Sequence, residues 1–578
     1  MRDWFLPHLA DAARVALWGL LLLLTALVLL YPTHLSLEFR PVQSPYVFDN
    51  LYLFGVLFCA WVGVLLLLLV GPQGKGNHDW ERLALVLLFG LGFVGFWVLL
   101  TRGVYCESFG QAYGLKYMQD IRVEQVPDPH GIEAFPGLNS LASAVHQISG
   151  LSVFDAIFLF LMVNIAIFSM LAFVAMRSFL GANTMLAAIG VLLLLTGSMM
   201  ITSSLEMFHG KTLALSLFAT FVLLVANPAL LRRGNGRLLL IILLVAITIT
   251  HLVTSVVVLS VLAVAYLLQK PDDRHLTSSL LVFAATLFLT WEMFGTISTF
   301  GTVVRLWEKF STDLAEGIVP TYGAEVGSPF VTQTPLWANI TRYFWLAFLG
   351  LFGFGLGLVC LVTRRRLNEL SGILATPLYA GVLAGSGLLG ELWRVSMYLP
   401  FFAVPVILGF LKGPRGSMTA LLLGLIVLFS VLSFPSFLVN NSGVSVQNYY
   451  PTDISTAEFL SNSLETSAGA VLYTTERDAL MLTYYLPHSS TNYIYRPDIE
   501  RTEEAFWLEM GERISDFGSV QSSETKALIW SEERWSFLFE SAVGVDPTAR
   551  PQWQALEQDL NHESKIYDNS FTQVYLAQ

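Results

Sequence analysis

Residues Phe344–Val362 read FWLAFLGLFGFGLGLVCLV and contain no charged side chain. A helix needs ~20 mostly apolar residues to cross the ~30 Å hydrocarbon core of a bilayer. Only helices and closed barrels cross it, because every backbone polar group must be satisfied within the protein. Since the apolar residues of this stretch are continuous rather than alternating, the stretch predicts a transmembrane helix rather than a barrel strand.

Similar blocks recur along the 578 residues, among them Leu20–Leu30, Val56–Val70 and Leu238–Ile249. Hydrophobic residues make up 54% of the chain and charged residues 13%, with a mean hydropathy of +0.62. Soluble domains carry about twice that charged fraction. We therefore predict an α-helical polytopic membrane protein with about 13 transmembrane helices. The predicted spans are 13–31, 51–71, 83–101, 152–174, 183–201, 212–228, 238–251, 253–269, 277–295, 343–362, 371–390, 396–411 and 417–438.

Basic residues indicate the orientation of these spans, because Lys and Arg concentrate in cytoplasmic loops. With this set of spans, the basic clusters of the short loops all fall on one side. An odd number of spans then places the N-terminus in the cytoplasm, with the first span retained as an anchor, and the tail outside the cell membrane. We predict a transmembrane domain over 1–438, with outer loops 102–151 and 296–342, and a soluble extracytoplasmic domain over 439–578. The clusters are Arg2 and Arg14; Lys75 and Arg82; Arg177; Arg232, Arg233 and Arg237; Lys270 and Arg274; Arg364–Arg366; Lys412 and Arg415.

The tail differs from the rest of the chain in charge. Residues 440–578 hold 21 acidic and 8 basic side chains, whereas the preceding part holds 22 acidic and 24 basic ones. Nucleic-acid binding requires a basic face, so we exclude it. Alternating helix and strand patterns predict an α/β domain, with strands at 470–473, 492–495 and 526–530 and a hairpin at 565–567 and 573–576. The predicted helices of this tail are 456–464, 478–485, 503–514 and 535–543.

Polar side chains near the outer ends of spans are the candidates for function, because charge at membrane depth is costly. The first cluster directly follows the third span, where Glu107 is placed at the outer surface. Asp120 is a second acid in the same loop, and Gln111 lies between them. A carboxylate there is suited to act as a base beside a lipid headgroup. The alternative is an ordinary charged, solvated loop.

Two further clusters lie at outer ends. Glu206, His209 and Lys211 share a very short turn, where an acid, an imidazole and an ammonium are able to bind a phosphate or share a proton. The alternative is a capped, solvated turn. Glu391 and Arg394 precede the twelfth span, and the guanidinium of Arg394 suits a phosphate. The alternative is a local ion pair that anchors the helix.

Two titratable residues lie inside apolar runs. His251 is more typical of a hydrogen-bonded packing residue than of a ligand. Glu292 lies near the outer end of the ninth span, where it either faces the same cavity or reaches towards the interface. The three cysteines, Cys59, Cys106 and Cys360, form no disulfide framework or metal spacing. Outer-loop carboxylates would suit a divalent cation, although no motif indicates one.

Three stretches together resemble a known family: ESFGQAY at Glu107–Tyr113, continued by Phe135–Leu151; ELWR at Glu391–Arg394; and Lys565–Tyr575 in the tail. They resemble the GT-C class of integral membrane glycosyltransferases, the mannosyltransferase-like and PMT/ArnT-like proteins. The resemblance extends along nearly the whole chain, with many spans, large outer loops and an outer α/β tail. Within Phe135–Leu151, the segment Leu138–Ile148 predicts an amphipathic helix on the membrane surface, with Leu141, Val145 and Ile148 on one face.

The resemblance implies transfer of a sugar from a polyprenyl-phosphate donor to an acceptor on the outer face. It implies Glu107 as the base, where the family usually has Asp, and Gln111 at a place where a histidine often stands. It implies Arg394 as a ligand of the lipid phosphate, which Lys211 and His209 would join. The sequence leaves two other functions open. One is a transporter or flippase for lipid-linked substrates, and the other is a non-catalytic scaffold that binds a partner through its outer domain.

Overall fold

The computed structural model describes the chain in segments, and the described residues form two compact units. One unit is helical and lies within 18–411, and the other is an α/β unit within 451–577. The predicted boundary at 438 falls outside the described residues. These are 18–19, 79–101, 136–197, 199–206, 208–269, 275–295, 336–363, 367–385, 395–411, 451–464, 471–474, 482, 490–493, 507, 512, 514–515, 517, 526–530, 551–560, 564–568 and 573–577.

The helices of the first unit follow the apolar blocks of the sequence. In chain order they are α1 (Asp79–Thr101), α2 (Gly137–Ser149), α3 (Val153–Phe179), α4 (Thr184–Gly197), α5 (Met199–Glu206), α6 (Gly210–Ala226), α7 (Pro228–Leu231), α8 (Gly234–Thr248), α9 (Leu252–Leu268), α10 (Ser278–Thr290), α11 (Leu336–Thr363), α12 (Leu367–Gly385), α13 (Val395–Tyr398) and α14 (Pro400–Leu411). A π-helical turn, Trp291–Gly295, continues α10. Among the described residues, α3 is the one helix that is long and apolar enough by itself to cross a membrane, and several shorter apolar helices accompany it.

These helices agree with most of the predicted spans from 83 to 411. Two predicted spans are each divided into two helices: 183–201 into α4 and α5, and 396–411 into α13 and α14. In the second case Pro400, which lacks an N–H to continue α13, begins α14. The predicted spans 238–251 and 253–269, on either side of His251, are two separate helices, α8 and α9. The predicted spans 13–31, 51–71 and 417–438 lie mainly or wholly outside the described residues.

The core of the helical unit lies where α3, α6 and α14 meet. The ring of Phe218 contacts the rings of Phe401 and Phe402, with centroid separations of 5.3 and 6.2 Å. Phe168 of α3 joins the same group at 6.0 Å from Phe401. Edge-to-face packing of this kind buries large apolar area and adds a modest electrostatic attraction. This aromatic packing holds α3, α6 and α14 together, and the start of α6 carries one of the polar clusters.

One end of this unit carries ionic contacts. Arg177 at the end of α3 pairs with Asp79 at the start of α1, with an Nη2–Oδ2 distance of 2.7 Å. Arg82 donates a short hydrogen bond to the hydroxyl of Thr184 at the start of α4. The sequence places these residues on the cytoplasmic side. The end of α3 lies here, together with the starts of α1 and α4. The start of α3 and the end of α5, which follows α4, therefore lie at the opposite end of the unit.

The second unit contains a five-stranded mixed sheet. Its elements are α15 (Pro451–Leu464), β1 (Val471–Thr474), β2 (Ser490–Tyr493), β3 (Lys526–Trp530), α16 (Pro551–Leu560), β4 (Ser564–Asp568) and β5 (Gln573–Ala577). The strand order is β2-β1-β3-β5-β4, with β2, β1 and β3 parallel and β5 antiparallel to both of its neighbours. Trp530 and Trp553 pack at 5.1 Å in its core. These strands lie within two residues of those predicted.

The predicted amphipathic helix is present as α2. Its buried side is formed by residues such as Leu138 and Ala142. Leu141 and Ile148 on the other side are 44% and 88% exposed, and Val145 is half-buried. The apolar stripe predicted from the sequence therefore remains uncovered by the rest of the described protein. A position on the membrane surface stays a prediction for this helix.

Candidate functional site

The starts of three helices converge at the end of the helical unit opposite the ionic contacts. The first N–H of α2, from Gly137, donates to the carbonyl of Ile249 at 3.1 Å. At the start of α6, a Cβ on Gly210 would lie 2.8 Å from the carbonyl oxygen of Thr250. Helix α9 begins two residues after Thr250, at Leu252. Because the backbones touch here, the partial positive ends of α2, α6 and α9 lie close together, and the C-terminal end of α8, with the opposite partial charge, meets them at Ile249 and Thr250.

His209 caps the start of α6. Its Nδ1 accepts the backbone N–H of Lys211 at 3.2 Å, while the backbone N–H of His209 donates to the hydroxyl of Thr212 at 3.3 Å. The hydroxyl of Thr212 in turn donates to the carbonyl of Ser204 in α5 at 2.7 Å. Capping satisfies N–H groups that a helix leaves without an intrahelical partner. The Glu206–Lys211 turn is therefore built, as one of the two sequence-based interpretations expected, around a cap.

His251 caps the start of α9 in the same way. Its Nδ1 accepts the backbone N–H of Thr254 at 3.3 Å and lies 2.8 Å from the hydroxyl of Thr254. That hydroxyl lies 2.8 Å from the hydroxyl of Tyr398 in α13. The ring of His251 is 7% exposed. It is hydrogen-bonded and buried, as expected of a histidine in an apolar run. It caps the start of α9 and does not lie within a helix.

The two capping histidines are neighbours. Their ring centroids lie 6.4 Å apart, with the rings nearly perpendicular. They are 42 positions apart in the sequence, so no local pattern groups them. Lys211 is partly buried in the first turn of α6, directly beside His209. The structure thus brings two imidazoles together where the starts of α2, α6 and α9 meet the end of α8, with Lys211 in the first turn of α6.

A buried polar network holds the start of α6 against α3. Asn164 of α3 donates from Nδ2 to the carbonyl of Thr212 at 3.0 Å, and its Oδ1 accepts the hydroxyl of Ser216 at 2.8 Å. Asn164 is 4% exposed. Paired polar groups in a dry interior fix geometry, because each would be costly without its partner. This network positions the first turn of α6, with His209 and Lys211, relative to the core.

Other candidate residues are placed differently. Glu206 is the last residue of α5, next to the turn that His209 ends, and its side chain is outside the description. Glu292 is buried in the π-helical turn after α10. Glu107, Gln111, Asp120, Glu391 and Arg394 lie outside the described residues, so their grouping with the histidines stays a prediction. Within the part that the structure describes, no three His, Cys, Asp or Glu side chains are grouped to hold a metal ion.

Sequence reasoning missed Thr254, Tyr398 and Asn164. Each lies within an apolar helix, where a lone hydroxyl or amide is easily taken for a tolerated core residue. A usable signal was the short spacing of His251 to Thr254, which is the spacing of an N-cap and its third helical residue. No comparable local signal connects Tyr398 to them, because the contact spans 144 positions.

Comparison with known proteins gives loose structural similarity only. No protein-family model matches the chain, and no characterised protein matches it by sequence. The chain is similar to ArnT from Cupriavidus metallidurans bound to undecaprenyl phosphate, with 12% identity over 87% of this chain and 99% of that one and a TM-score of 0.44. The same ArnT in the apo state gives 12% identity over 83% and 93% of the two chains and a TM-score of 0.40.

An oligosaccharyltransferase from Archaeoglobus fulgidus, tethered to an acceptor peptide, is also similar. It shares 9% identity over 87% of this chain and 74% of that one, with a TM-score of 0.48. The resemblance to ArnT-like membrane proteins that the sequence predicted is thus found among solved structures as well. TM-scores below 0.5 describe a distant likeness, so the chemistry below rests on the chain's own residues.

Proposed function

We propose that the chain is a membrane glycosyltransferase that moves a sugar from a polyprenyl-phosphate donor to an acceptor on the outer face of the membrane. The observation that carries the proposal is the meeting of the starts of α2, α6 and α9 beside His209, His251 and Lys211. Each helix start carries roughly half a positive charge and each helix end roughly half a negative one, so the three starts outweigh the ends of α5 and α8, and the charge of Lys211 adds to the excess that favours a bound phosphate. The sequence resemblance to GT-C proteins supports the donor class.

The reaction assigns separate roles to the two parts of the site. The phosphate part stabilises the negative charge that grows on the lipid phosphate as the sugar leaves. Arg394 belongs to this part, and its fork of donors suits two phosphate oxygens. Glu107, with Asp120 as the second candidate acid, deprotonates the acceptor hydroxyl. Because the sugar phosphate is already activated, the reaction needs no nucleotide-binding loop. The apolar helices solvate the polyprenyl chain.

The proposal predicts that sugar transfer depends on the charge at the start of α6 and does not depend on charge at the predicted cytoplasmic end of the helical unit. Membranes that contain the full chain would be supplied with labelled polyprenyl-phosphate sugars and assayed for transfer. Lys211→Met, which keeps the length of the side chain but removes its charge, is expected to reduce transfer at least about tenfold, the effect of one charge-assisted hydrogen bond. Arg233→Gln removes an exposed charge at the predicted cytoplasmic side and is the matched control.

The expected result for Arg233→Gln is transfer equal to that of the native chain. Transfer by Lys211→Met at the native rate would remove the α6 start from the donor site. Transfer lost equally in both variants would indicate a general effect of net charge and would contradict the proposed location. Folding of each variant is checked by thermal melting of the purified protein.

A further inference from the structure

The turn between α7 and α8 exposes three arginines at the end of the helical unit that the sequence assigns to the cytoplasmic side. Arg232, Arg233 and Arg237 are all exposed there. Residues 207–271, which include α6, α7, α8 and α9, contain no acidic side chain, and α10, which packs against α8, contains none. Loop 270–274, which lies mainly outside the described residues, has two basic and two acidic side chains. The positive charge of the turn is therefore not offset by the helices around it.

Close backbone contacts give this turn a fixed shape. A Cβ on Gly236 would overlap the carbonyl oxygen of Leu230, so a residue without a side chain is required where α8 meets the end of α7. Leu231 is buried, and the backbone N–H of Arg232 donates to the carbonyl of Pro228 at 3.1 Å. The arginines therefore project from a packed turn rather than from an open loop.

Arg237 is the arginine of this turn whose guanidinium is held in place. Its Nε donates to the carbonyl of Leu231 at 3.2 Å, which leaves the two Nη groups as a fixed pair of donors beside the first turn of α8. Arg233 differs, because within the part of the chain that the structure describes its side chain makes no hydrogen bond or ion pair. A guanidinium that is already held in place loses little freedom when it binds two oxygens of a phosphate.

An apolar stripe on the outside of α8 begins directly after Arg237. Leu238, Ile242 and Val245 are 57%, 56% and 37% exposed. Their spacing of four and three residues places them on one side of the helix, and at 1.5 Å per residue the stripe is about 10 Å long. A fixed cation at one end of an exposed apolar stripe matches a lipid, whose charged headgroup lies at the membrane surface and whose acyl chains lie below it.

We propose that this turn and stripe, here called the α8 lipid site, bind an anionic phospholipid of the leaflet at this end of the unit. The phosphodiester lies on the guanidinium of Arg237, next to Arg232, and an acyl chain follows Leu238, Ile242 and Val245. An anionic headgroup is selected because a zwitterionic one carries an ammonium that the arginines repel. Arginines that only set the orientation of a membrane protein need neither a fixed guanidinium nor an adjoining stripe. The α8 lipid site is separate from the proposed sugar transfer.

The first test is native mass spectrometry of the purified full chain in detergent, titrated with dioleoylphosphatidylglycerol or with dioleoylphosphatidylcholine. The native chain is expected to bind the phosphatidylglycerol about tenfold more tightly than the phosphatidylcholine. Arg237→Gln is expected to raise the Kd for phosphatidylglycerol about tenfold, the effect of losing one charge-assisted hydrogen-bonding group. The Kd of this variant for phosphatidylcholine is expected to stay within about twofold of the native value.

Two further variants separate a built site from general attraction by positive charge. Arg233→Gln removes the same charge from the same turn but no fixed donor, so its Kd for phosphatidylglycerol is expected to stay within about twofold of the native value. Arg237→Lys keeps the charge but not the fork of donors, and is expected to raise that Kd about threefold. Melting of each variant without lipid checks folding, and Arg237→Lys decides the question if Arg237→Gln is unfolded.

The position of the lipid is measured separately, with a phosphatidylglycerol that carries a photoreactive group in its acyl chain. Labelling of the native chain is expected within Leu238–Val245 and is expected to be reduced in Arg237→Gln. Equal Kd values for the two lipids, a native Kd in both Arg237 variants, or labelling confined to other helices would overturn the proposal. Equal losses in Arg233→Gln and Arg237→Gln would also overturn it, because net charge alone would then explain the binding.

Discussion

Gly210 determines how closely the start of α6 approaches the start of α9. A Cβ at this position would lie 2.8 Å from the carbonyl oxygen of Thr250, which is backbone and cannot rotate away. Gly137 approaches the same residue from α2, with its N–H bonded to Ile249. The site therefore depends on two residues without side chains, because larger ones would hold the three helix starts apart.

The first prediction concerns Gly210→Ala. We expect the added methyl group to push α6 away from Thr250 and to lower the free energy of unfolding by about 1–3 kcal/mol, the usual cost of overpacking. Gly350→Ala is the control, since a Cβ there meets nothing within 4 Å. Thermal melting of both variants in detergent measures the effect. A lower midpoint for Gly350→Ala than for Gly210→Ala would contradict this account of the close approach.

At this scale the sequence proposed His209, Lys211 and His251 as candidates, but it did not bring the two histidines together. His209 and Lys211 are two positions apart, so the sequence alone indicates that they belong to one polar turn. His251 was interpreted alone, because its contact with His209 depends on how α6 and α9 begin side by side. Contacts between distant positions are set by helix packing, which local patterns do not encode.

Helix α3 is joined to α6 by the hydrogen bonds of Asn164 rather than by apolar contact alone. The second prediction is that Asn164→Leu lowers the free energy of unfolding by about 1–3 kcal/mol, because the hydroxyl of Ser216 and the carbonyl of Thr212 lose a buried partner. Ser178→Ala is the control, as its exposed hydroxyl bonds to its own helix at Val174. Stability of Asn164→Leu equal to that of Ser178→Ala would show that the network contributes nothing.

The third prediction concerns the hairpin of β4 and β5. Burial raises the pKa of Tyr575 above its ordinary value of 10.0, with the charge of Lys565 opposing the shift. Because the folded pKa is the higher one, the associated stability is fully present below pH 10 and is lost as the pH rises through the folded pKa. Between pH 8 and 11, the melting temperature of Tyr575→Phe is expected to fall less steeply with rising pH than that of the native chain. Identical pH dependence in both proteins would exclude Tyr575 as a cause.

At the scale of elements, the sequence predicted most of what the structure describes. Continuous apolar runs are a strong signal, so α1, α3, α6, α8 and α9 lie near their predicted ranges. The division of 183–201 into α4 and α5 was missed, because the apolar run continues through the start of α5 at Met199–Ile201. Helix α16 was also missed, since its sequence PQWQALEQDL is mostly polar and only two of its residues, Trp553 and Leu560, belong to the core of the sheet.

The arrangement of the whole molecule in the membrane remains a prediction from its basic residues. The fourth prediction is that a cysteine replacing Glu458, an exposed residue of α15, reacts with an impermeant maleimide on intact cells. A cysteine replacing Arg233, also exposed, is expected to react only after permeabilisation. Both are placed in a chain whose three cysteines are replaced by serine. The opposite pattern of labelling would reverse the orientation and place the site on the cytoplasmic face.

The most direct test of the account compares the native chain with Glu107→Gln in the transfer of labelled sugar from polyprenyl-phosphate donors. The change keeps the size of the side chain and removes the base. We predict transfer by the native chain and its loss by at least about a hundredfold in Glu107→Gln, while the melting temperature stays the same. Equal transfer by both would remove Glu107 from the mechanism, and a native chain inactive with every such donor would contradict the assignment as a glycosyltransferase.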